Sequence, residues 1–462
     1  MARVFVSAAH KSSGKTTITL GLCAALASRG LAVQPFKKGP DYIDPMWHSA
    51  AAGRTCRNLD FNTQTPEEIV GFFRRHALGA DVSIIEGNKG LHDGVDPQGR
   101  DSGAALAKLL RAPVVLVIDG SGITRGVAPL LMGYRAFDPD VRIAGVILNK
   151  VAGGRHETKL REAVETFTDL PVLGAVHRSA DLEITERHLG LVPANEEAQS
   201  SAVVRRIRDA IAAQVDLDRL LDVARAAPAL AVPPMALPAQ APRTGRLGVA
   251  RDAAFGFYYP EDLEALAAEG FELVPFDTLR DGALPPGLDA LFIGGGFPET
   301  HMAALEANAG MRASVRAAVE GGLPTYAECG GLMYLSRSIA WGERRHAMAG
   351  ALPLDTVMHA RPQGRGHVRM RETDAFPWPG AGGTVSAHEF HYAGVANLDP
   401  GCRFAYAVER GHGIDGVHDG IVVHNTLASF THLRGVGGNA WPNRFAAFIR
   451  SCRARARGAH AA

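Results

Sequence analysis

The sequence lacks several features that mark whole classes of protein. Among its 462 residues, 49 lysines and arginines nearly balance 48 aspartates and glutamates, so no charge excess points to nucleic acid or to an acidic membrane surface. No apolar run approaches the roughly 20 residues that span a bilayer. The opening MARVFVSAAHK contains an apolar stretch that is too short for a signal peptide. We therefore expect a soluble, cytoplasmic protein with neither a nucleic-acid nor a membrane partner.

The sequence also has few cysteines. The five cysteines are far apart in the chain, and no two of them have the spacing of a zinc site or of a CxxC motif. Scattered cysteines in odd number favour a reducing compartment over a disulfide framework. They are Cys23, Cys56, Cys329, Cys402 and Cys452.

The chain does have enough length for two or three domains and, with 46% hydrophobic residues, enough apolar side chains for their cores. Short apolar runs alternate with segments of helical period, which is typical of a mostly parallel α/β sheet. A stretch rich in Pro and Ala, residues 226–244, interrupts this alternation and is typical of a linker. We predict an α/β domain at 1–225, a second α/β domain at 245–450 and a frayed tail at 451–462.

The same alternation predicts the individual elements. Apolar runs bounded by glycine or polar residues predict strands, and amphipathic runs after them predict helices. The predicted strands are Arg3–Ser7, Val82–Glu86, Val114–Asp119, Ile143–Asn149, Arg246–Ala250, Ala290–Gly294 and Thr325–Glu328. The predicted helices are Lys15–Ser28, Ser102–Leu110, Glu157–Thr166, Pro260–Glu269 and Gly330–Ser338.

The stretch SAAHKSSGKTT, Ser7–Thr17, connects the first predicted strand to the first predicted helix. It matches the phosphate loop G-x-x-x-x-G-K-[ST] at Gly14, Lys15 and Thr16, whereas Ala9 stands at the first glycine position. In such a loop the lysine contacts the β- and γ-phosphates, the hydroxyl after it binds Mg²⁺, and the helix N-terminus faces the anion. The alternative is a plain turn, rich in Ser and Gly, that caps a helix.

Acidic residues follow two of the predicted strands. Glu86 ends the apolar run VSIIE, and a carboxylate at the carboxyl end of a parallel strand lies where such sheets bind ligands. Asp93 follows in GLHDG and could join it. The loop GPDYIDP holds Asp41 and Asp44, two close carboxylates that suit Mg²⁺ or an acid–base role. Acids in such places can equally be solvated loop residues. Positive charge suited to phosphates or to a polyanionic substrate comes from two lysines before this loop, Lys37 and Lys38.

The second half of the chain holds a candidate nucleophile. In PTYAECGGLMYL a predicted strand turns into a helix at Cys329, where a sharp turn exposes the side chain and the helix N-terminus stabilises a thiolate. The N–H of Gly330 and a donor from the loop GGGFPE, which contains Gly295 and Gly296, would form an oxyanion hole. His432 in ASFTHLRG would act as general base. The alternative is that Cys329 is a small buried apolar residue.

Two histidines in HEFHY, His388 and His391, have an i, i+3 spacing that invites a metal-site interpretation. No third ligand of suitable spacing is evident, and the segment has the pattern of a strand rather than of a helix. We therefore expect these histidines to have a structural or substrate-contact role.

An ordered set of motifs, from about Arg3 to about His432, carries a resemblance to one family. The motifs are SSGKTT, FKKGPDYIDP, EGNKGLHDG, RHLGL, ARDAAFGFYYPEDL, GGGFPE, YAECGGLMYL and HEFHY. On these residues the chain resembles the cobyrinate a,c-diamide synthases, glutamine-dependent ligases of cobalamin biosynthesis. The resemblance implies a dethiobiotin-synthetase-like P-loop domain with a parallel sheet, followed by a class I glutamine amidotransferase α/β domain. It also implies that ATP phosphorylates an acetate carboxylate of a tetrapyrrole and that ammonia from glutamine displaces phosphate to leave an amide.

The resemblance also implies residue roles at the positions that match the family's motifs. The residues expected to bind ATP are Gly14, Lys15, Thr16, Thr17 and, at the adenine, Asn149. Those expected to bind Mg²⁺ are Thr16, Asp44 and Glu86. Those expected to contact the substrate or the oxyanion are Asp41, Asp44, Gly295, Gly296 and Gly330, and Lys89 is expected to contact the substrate because of its positive charge, although it departs from the family's motif. Cys329 matches the nucleophile and His432 its base, while Arg434 stands where many amidotransferases have a glutamate, so a Cys–His dyad is expected.

The implied partners are L-glutamine and a tetrapyrrole polycarboxylate (cobyrinate, hydrogenobyrinate or sirohaem), with ATP and Mg²⁺ as cofactors and a homodimer as one expected assembly. Two departures bear on the substrate. Ala9 puts a methyl near the phosphates, and EGNKGLHDG has the polar pair Asn88 and Lys89 where the more usual EGVMGLFDG has Val and Met. One alternative is therefore a sirohaem amidase with the same chemistry. Another, from a different class, is a non-catalytic P-loop ATPase switch.

Overall fold

The computed structural model describes residues 1–187, 190–196, 200–230, 241–380 and 382–461. The chain divides into two compact units, Met1–Ala236 and Leu237–Ala462. Residues 231–240 of the predicted linker, and two residues of the RHLGL motif, His188 and Leu189, lie outside the described residues. Within the described residues, no helix has both the length and the apolar character needed to cross a membrane.

A seven-stranded parallel sheet forms the centre of the first unit. Its strands are β1 (Arg3–Ala8), β2 (Val33–Lys38), β3 (Arg57–Leu59), β4 (Val82–Glu86), β5 (Val114–Asp119), β6 (Ile143–Val151) and β7 (Val172–His177), and a short pair, β8 (Glu186–Arg187) and β9 (Gly190–Leu191), follows. The helices are α1 (Lys15–Ser28), α2 (Ile43–Ala52), α3 (Pro66–Ala77), α4 (Gly103–Leu109), α5 (Val127–Phe137), α6 (Gly154–Phe167), α7 (Ser200–Gln214) and α8 (Leu217–Arg225). The sheet order is β3-β2-β4-β1-β5-β6-β7, with every neighbouring pair parallel.

Burial on both faces explains why these strands are nearly continuous apolar runs. All six residues of β1 are buried, as expected for an inner strand of a parallel sheet. Helix α1 is also apolar on most sides, because α7 packs on it. Gly21 of α1 lies so close to α7 that a Cβ there would be 2.2 Å from Cγ1 of Ile211.

The strand order decides where ligands can bind. Strand β1 lies between β4 and β5, and β4 also pairs with β2. The carboxyl ends of β1, β2 and β4 therefore meet at one edge, where open α/β sheets bind their ligands. That edge carries the phosphate loop, the loop GPDYIDP and Glu86.

A nine-stranded mixed sheet forms the centre of the second unit. The strands of this unit are β10 (Gly245–Ala250), β11 (Phe255–Phe257), β12 (Phe271–Phe276), β13 (Ala290–Ile293), β14 (Gly295–Gly296), β15 (Thr325–Glu328), β16 (Ser338–Trp341), β17 (Arg344–Ala347), β18 (Asp355–Met358), β19 (Gly364–Glu372), β20 (Thr384–His391), β21 (Ala393–Ala396), β22 (Arg403–Arg410), β23 (His418–Val423) and β24 (Thr426–Ser429). The helices are α9 (Pro260–Ala268), α10 (Met302–Ala307), α11 (Ala309–Glu320), α12 (Gly330–Leu335) and α13 (Trp441–Ala461).

The order of the large sheet is β12-β10-β13-β15-β24-β23-β22-β19-β20. The first five of these strands are parallel, and the remaining neighbours are antiparallel. Strand β15 lies between β13 and β24 in the parallel half. The segments that leave the carboxyl ends of these three strands contain the loop GGGFPE, the turn at Cys329 and His432, so the topology brings the three together.

Strands β4, β5 and β15 have the predicted bounds, and the HEFHY segment is a strand as predicted. Several other predicted ends are shifted by one to three residues. The helix predicted at Gly330–Ser338 ends at Leu335, because Ser336 is extended (φ −62°, ψ 171°) and leads into β16. The predicted frayed tail is helical to Ala461; buried Cys452 and an ion pair between Arg453 Nε and Asp289 at 3.1 Å hold its start against the unit, and residues 454–457 are exposed.

Candidate active sites

The phosphate loop of the first unit joins β1 to α1. Gly14 precedes the helix in a left-handed conformation (φ 84°), and Ser12 also has a positive φ of 62°. Glycine adopts this conformation without steric cost. Thr17 lies in the first turn of α1. The N–H groups of that turn have no intrahelical acceptor, so they can bind an anion.

Strand β6 holds the loop in place. The side chain of Asn149 donates from Nδ2 to the carbonyl oxygen of Ser13 at 2.9 Å, and Lys150 Nζ donates to that of Ser12 at 2.7 Å. A Cβ on Gly14 would lie 2.2 Å from Nδ2 of Asn149. The amide predicted to contact adenine is thus directed at the backbone of the phosphate loop itself.

The three predicted Mg²⁺ ligands lie together around a lysine. The hydroxyl of Thr16 lies 3.0 Å from Glu86 Oε1 and 3.3 Å from Asp44 Oδ2. Lys37 Nζ donates to Asp44 Oδ2 at 2.6 Å and to Glu86 Oε1 at 2.8 Å. The other carboxylate oxygen of Glu86 contacts Nε2 of buried His48. An ammonium group therefore bridges the two carboxylates that the sequence analysis assigns to the metal.

The charges in this cluster stabilise one another. Burial alone would raise the pKa of Glu86, but Lys37 and His48 hold that pKa below its usual range. Burial alone would lower the pKa of Lys37, but Asp44 and Glu86 outweigh it and raise that pKa well above its ordinary value. At neutral pH the buried ammonium and Glu86 are therefore both charged. For Lys15, by contrast, burial outweighs the nearby acids and lowers the pKa.

The other predicted substrate residues surround this cluster. Asp41 lies 3.8 Å from Lys37 Nζ, and burial followed by repulsion from Asp44 raises its pKa to about 7. Lys89 is exposed and has a positive φ of 47°. Asp93 accepts at 2.9 Å from a backbone N–H three residues earlier, so this contact shapes the loop rather than joining Asp93 to the acid cluster.

The oxygen donors at this cluster fit Mg²⁺. A hydroxyl and two carboxylates are hard ligands, and Mg²⁺ usually takes one or two carboxylates, waters and phosphate oxygens. In the part of the chain that the structure describes, no group of three or more His, Cys, Asp or Glu residues is arranged to hold a metal. Binding of the ion here would therefore combine the hydroxyl of Thr16 and the carboxylates of Asp44 and Glu86 with phosphate oxygens and water.

The candidate nucleophile of the second unit, Cys329, lies at the turn between β15 and α12. Its backbone has φ 46° and ψ −101°, a strained conformation for a residue other than glycine. Its N–H donates to the carbonyl oxygen of Ser429 at 2.7 Å, which extends the pairing of β15 with β24 to the turn. Strain of this kind persists where the surrounding structure enforces it, commonly at functional sites.

Two glycine segments border this turn. A Cβ on Gly330 would lie 3.0 Å from the backbone nitrogen of Gly296. A Cβ on Gly295 would lie 2.5 Å from Cε1 of His432. The absence of side chains at these glycines thus allows the loop GGGFPE, the cysteine turn and the histidine to approach one another. Gly330 and the loop with Gly295 and Gly296, which were predicted to supply the oxyanion donors, are therefore neighbours in space.

The electrostatics at Cys329 differ from the expectation of a thiolate at a helix N-terminus. Burial, and after it the carboxylate of Glu299, raises the pKa of Cys329. A hydrogen bond from the N–H of Gly330 acts in the opposite direction but does not outweigh them. The raised pKa favours the thiol form of the side chain, so a base would have to remove its proton before the sulfur could act as a nucleophile.

His432 is buried and stacked on His388. The two ring centroids are 5.0 Å apart with an angle of 14° between the planes, and His432 N donates to His388 O at 2.8 Å. Burial, then the neighbouring His432, lowers the pKa of His388 well below its ordinary value, so this ring is neutral. His391 stacks on Phe430 at 4.0 Å. Both histidines of HEFHY thus make structural contacts, and His388 forms one wall around the candidate base.

One acidic residue at this site was missed by the sequence analysis. Glu328, directly before the cysteine, is buried, and its Oε2 lies 3.5 Å from Nδ1 of His432. Its Oε1 accepts from Leu433 N at 2.9 Å and from the hydroxyl of Tyr326 at 2.5 Å. An acid at the end of a buried strand, directly before the candidate nucleophile, was the signal that could have identified it, because a buried carboxylate needs partners.

The chain matches two family models, the CobQ/CobB/MinD/ParA nucleotide binding domain over residues 5–192 and the CobB/CobQ-like glutamine amidotransferase domain over residues 246–439. Its relatives include proteins named cobyrinate a,c-diamide synthase. That of Magnetococcus marinus is 51% identical over 97% of this chain and 97% of its own length. Those of Methanosarcina acetivorans and Methanosarcina barkeri are 42% and 41% identical, over 94% of this chain and 92% and 93% of their own lengths.

Proposed function

The chain belongs to the cobyrinate a,c-diamide synthase family, and from that premise we propose that it is an ATP- and glutamine-dependent amidoligase. Its reaction converts the a and c acetate carboxylates of cobyrinate into carboxamides. The observation that carries this proposal is the presence in one chain of a phosphate loop beside an acid–lysine cluster and of a strained cysteine turn beside a buried histidine. The first site activates a carboxylate, and the second releases ammonia.

Carboxylate activation takes place at the phosphate loop. A substrate carboxylate oxygen attacks the γ-phosphorus of ATP, the bond from that phosphorus to the β–γ bridging oxygen breaks, and ADP leaves. Lys15 and the N–H groups of the first turn of α1 bind the phosphates. Thr16, Asp44 and Glu86 would hold a bound Mg²⁺ ion, and such an ion would neutralise charge on the phosphate oxygens. Ammonia then attacks the acyl carbon, and inorganic phosphate leaves.

Ammonia release takes place at the cysteine turn. His432 takes the proton of Cys329 as the sulfur attacks the amide carbon of glutamine. The N–H groups of Gly296 and Gly330 stabilise the oxygen that becomes negatively charged. The imidazolium returns its proton to the amide nitrogen. The bond between this nitrogen and the former amide carbon breaks, ammonia leaves, and a thioester on Cys329 remains. Water then hydrolyses the thioester to glutamate and restores the thiol.

An open apolar pocket supports a macrocyclic substrate at the first site. Its volume is about 370 Å³, and its lining residues are His92, Pro129, Leu130, Gly133, Tyr134 and Phe137. The hydroxyl of Tyr134 donates to the carbonyl oxygen of Ala9 at 2.5 Å, so one wall is tied to the phosphate loop. Phe137 is 75% exposed and offers a flat apolar face. Lys89 is exposed and precedes the lining residue His92 by three positions, so its positive charge is a candidate partner for the rim carboxylates of a tetrapyrrole.

Two substitutions test whether carboxylate activation and ammonia release take place at separate sites. Cys329→Ala should abolish amidation with glutamine and retain amidation with free ammonia, because carboxylate activation does not need the thiol. Lys15→Ala should abolish amidation with either nitrogen source, because activation precedes both. Product amides are measured by mass spectrometry. Glutamine-dependent turnover at the wild-type rate in Cys329→Ala, or ammonia-dependent turnover in Lys15→Ala, would contradict the assigned roles.

Sirohaem is the second candidate substrate, because its macrocycle also carries acetate carboxylates and because Asn88 and Lys89 depart from the usual family motif. The use of Mg²⁺, a homodimeric assembly and a cytoplasmic location remain predictions. The alternative of a non-catalytic ATPase switch is disfavoured, since such a protein does not need a nucleophile, and this chain has a strained cysteine beside a buried histidine.

A further inference from the structure

The residue two positions after the candidate base, His432, is not a carboxylate that could assist this base. Many amidotransferases have a glutamate there, whereas this chain has Arg434. Its guanidinium donates to Glu261 Oε1 from both Nε and Nη2 at 2.7 Å, and Cζ lies 5.0 Å from the ring centroid of Tyr259. This position therefore carries a buried cation that is committed to another carboxylate.

The carboxylate that faces His432 belongs instead to Glu328, on strand β15, which leads into the cysteine turn. Glu328 is the last residue of β15, and its side chain and that of His432 are only 3% and 4% exposed. The Oε2 atom of this glutamate lies 3.5 Å from Nδ1 of the histidine. Hydrogen bonds to catalytic groups are often long before substrate binds and shorten in the substrate complex.

The other oxygen of Glu328 fixes the direction of the carboxylate. Oε1 accepts from the hydroxyl of Tyr326 and from the N–H of Leu433. Tyr326 shares a strand face with the glutamate and is itself held by stacking on Phe292 at 5.3 Å. With Oε1 engaged on both sides, Oε2 is the oxygen left to face the imidazole.

We propose that Glu328 is the positioning residue of the glutamine-hydrolysing site and acts through His432. Its Oε2 accepts a hydrogen bond from Nδ1–H, which selects the tautomer with a free lone pair on Nε2 and stabilises the imidazolium after that nitrogen takes the thiol proton. A carboxylate adjacent to the nucleophile in sequence thus replaces the glutamate that other amidotransferases place two residues after the histidine. This inference rests on the proposed function of the second unit.

The test is Glu328→Gln in the full chain. Glutamine preserves the shape and can still accept both bonds at its Oε1, but its NH₂ group faces Nδ1 and favours the opposite tautomer. We expect kcat for glutamine hydrolysis to fall about 100-fold, as for loss of general-base catalysis, with KM nearly unchanged. Amidation with free ammonia should persist, which shows that the first unit is intact, and a melting transition of the second unit like that of wild type shows that the variant is folded.

A matched control removes a different buried carboxylate from the same unit. Glu372 is 3% exposed and pairs with Arg444 at 2.6 Å. We expect Glu372→Gln to leave the kcat for glutamine hydrolysis within about twofold of wild type, because its carboxylate is paired at another position. A double variant gives the sharper readout. In a His432→Ala background, Glu328→Gln should lower the residual rate of glutamine hydrolysis by less than about twofold. A residue that acts only through the histidine has no further effect once the histidine has been removed.

Three results would overturn the proposal. They are a wild-type kcat for Glu328→Gln, an equal loss for Glu372→Gln, and a full additional loss in the His432→Ala background. Failure of the proposed function has a different signature. In that case the wild-type protein itself releases no glutamate from glutamine, and Cys329→Ala changes nothing.

Discussion

Lys37, the ammonium group between Asp44 and Glu86, provides a quantitative test of the buried charge cluster. Methionine has a similar length and no charge, so Lys37→Met leaves both carboxylates without their shared cation. Only 4% of the lysine side chain and none of the Glu86 side chain is exposed, so water cannot replace the lost contact without rearrangement. Removing one partner of a buried ion pair costs about 3–5 kcal/mol.

Thermal unfolding without Mg²⁺ measures this cost. For a unit of this size each kcal/mol shifts Tm by about 2–4 °C, so we expect Lys37→Met to melt roughly 10 °C below wild type. Added Mg²⁺ should raise the Tm of the variant more than that of wild type, because an ion bound only by the folded state restores the missing charge.

The stability of Lys37→Met should depend on pH with the opposite sign to that of wild type. In wild type the depressed pKa of Glu86 contributes stability above the unfolded pKa of about 4.3, and that stability is lost as pH falls through the lower folded pKa. Without Lys37 the raising effect of burial, the largest influence on the pKa of Glu86, is opposed by His48, by the hydroxyl of Thr16 and by the charge of Lys15. We expect burial to prevail, so that the folded state binds more protons than the unfolded state and stability falls as pH rises above about 4.3. Melting curves between pH 5 and pH 8 test this sign.

The neighbouring lysine provides the control. Lys38 is also buried, but its Nζ contacts the amide oxygen of Asn88 at 3.1 Å, and burial lowers its pKa. Lys38→Met should therefore shift Tm by less than about 3 °C. Equal losses for the two variants, or wild-type melting of Lys37→Met, would refute the argument that the carboxylates depend on the bridging ammonium.

Two further substitutions probe the first site. Gly14→Ala should abolish ATP binding, because its methyl would lie 2.2 Å from Asn149 Nδ2 at a φ of 84°; unchanged affinity by calorimetry would contradict this. Phe137→Ser should raise KM for cobyrinate roughly tenfold, about 1.4 kcal/mol, with KM for ATP unchanged. Leu78→Ser, which also removes an exposed apolar side chain, should change neither; equal effects of the two serine variants would argue against the docking pocket.

The sequence predicted the fold well where local pattern and topology agree. The run before Ser7 is apolar, the loop after it has turn residues, and α1 begins at Lys15 as predicted. Parallel strands buried on both faces and short connections leave little freedom in such a unit. The chain's two α/β parts and the family were therefore predictable from motifs in order.

Contacts that depend on strand neighbours could not be predicted in the same way. Lys37 is the penultimate residue of β2 and Glu86 is the last residue of β4, and only the pairing of these two strands reveals that their side chains meet. Glu328 was overlooked for a related reason. The direction of its side chain toward His432 depends on β24 lying beside β15, which motif spacing does not specify.

The helix ends were missed for energetic reasons. Nothing in GGLMYLSRS stops a helix, so the prediction continued past Leu335, whereas the chain gains sheet pairing from Ser338 onward. The arginine-rich C-terminal segment has no apolar stripe to suggest packing. Its helix is held by ionic contacts such as Arg453 with Asp289, which local sequence does not reveal.

The most direct test of the central claim is a mass-spectrometric assay of the purified protein with ATP, Mg²⁺ and glutamine, offering cobyrinate and sirohaem in parallel. The account predicts that cobyrinate gains two amides, with ADP and glutamate released in step, and that this requires both Lys15 and Cys329. Amide formation only on sirohaem would contradict the assigned substrate, and no amide on either macrocycle would contradict the amidoligase function itself.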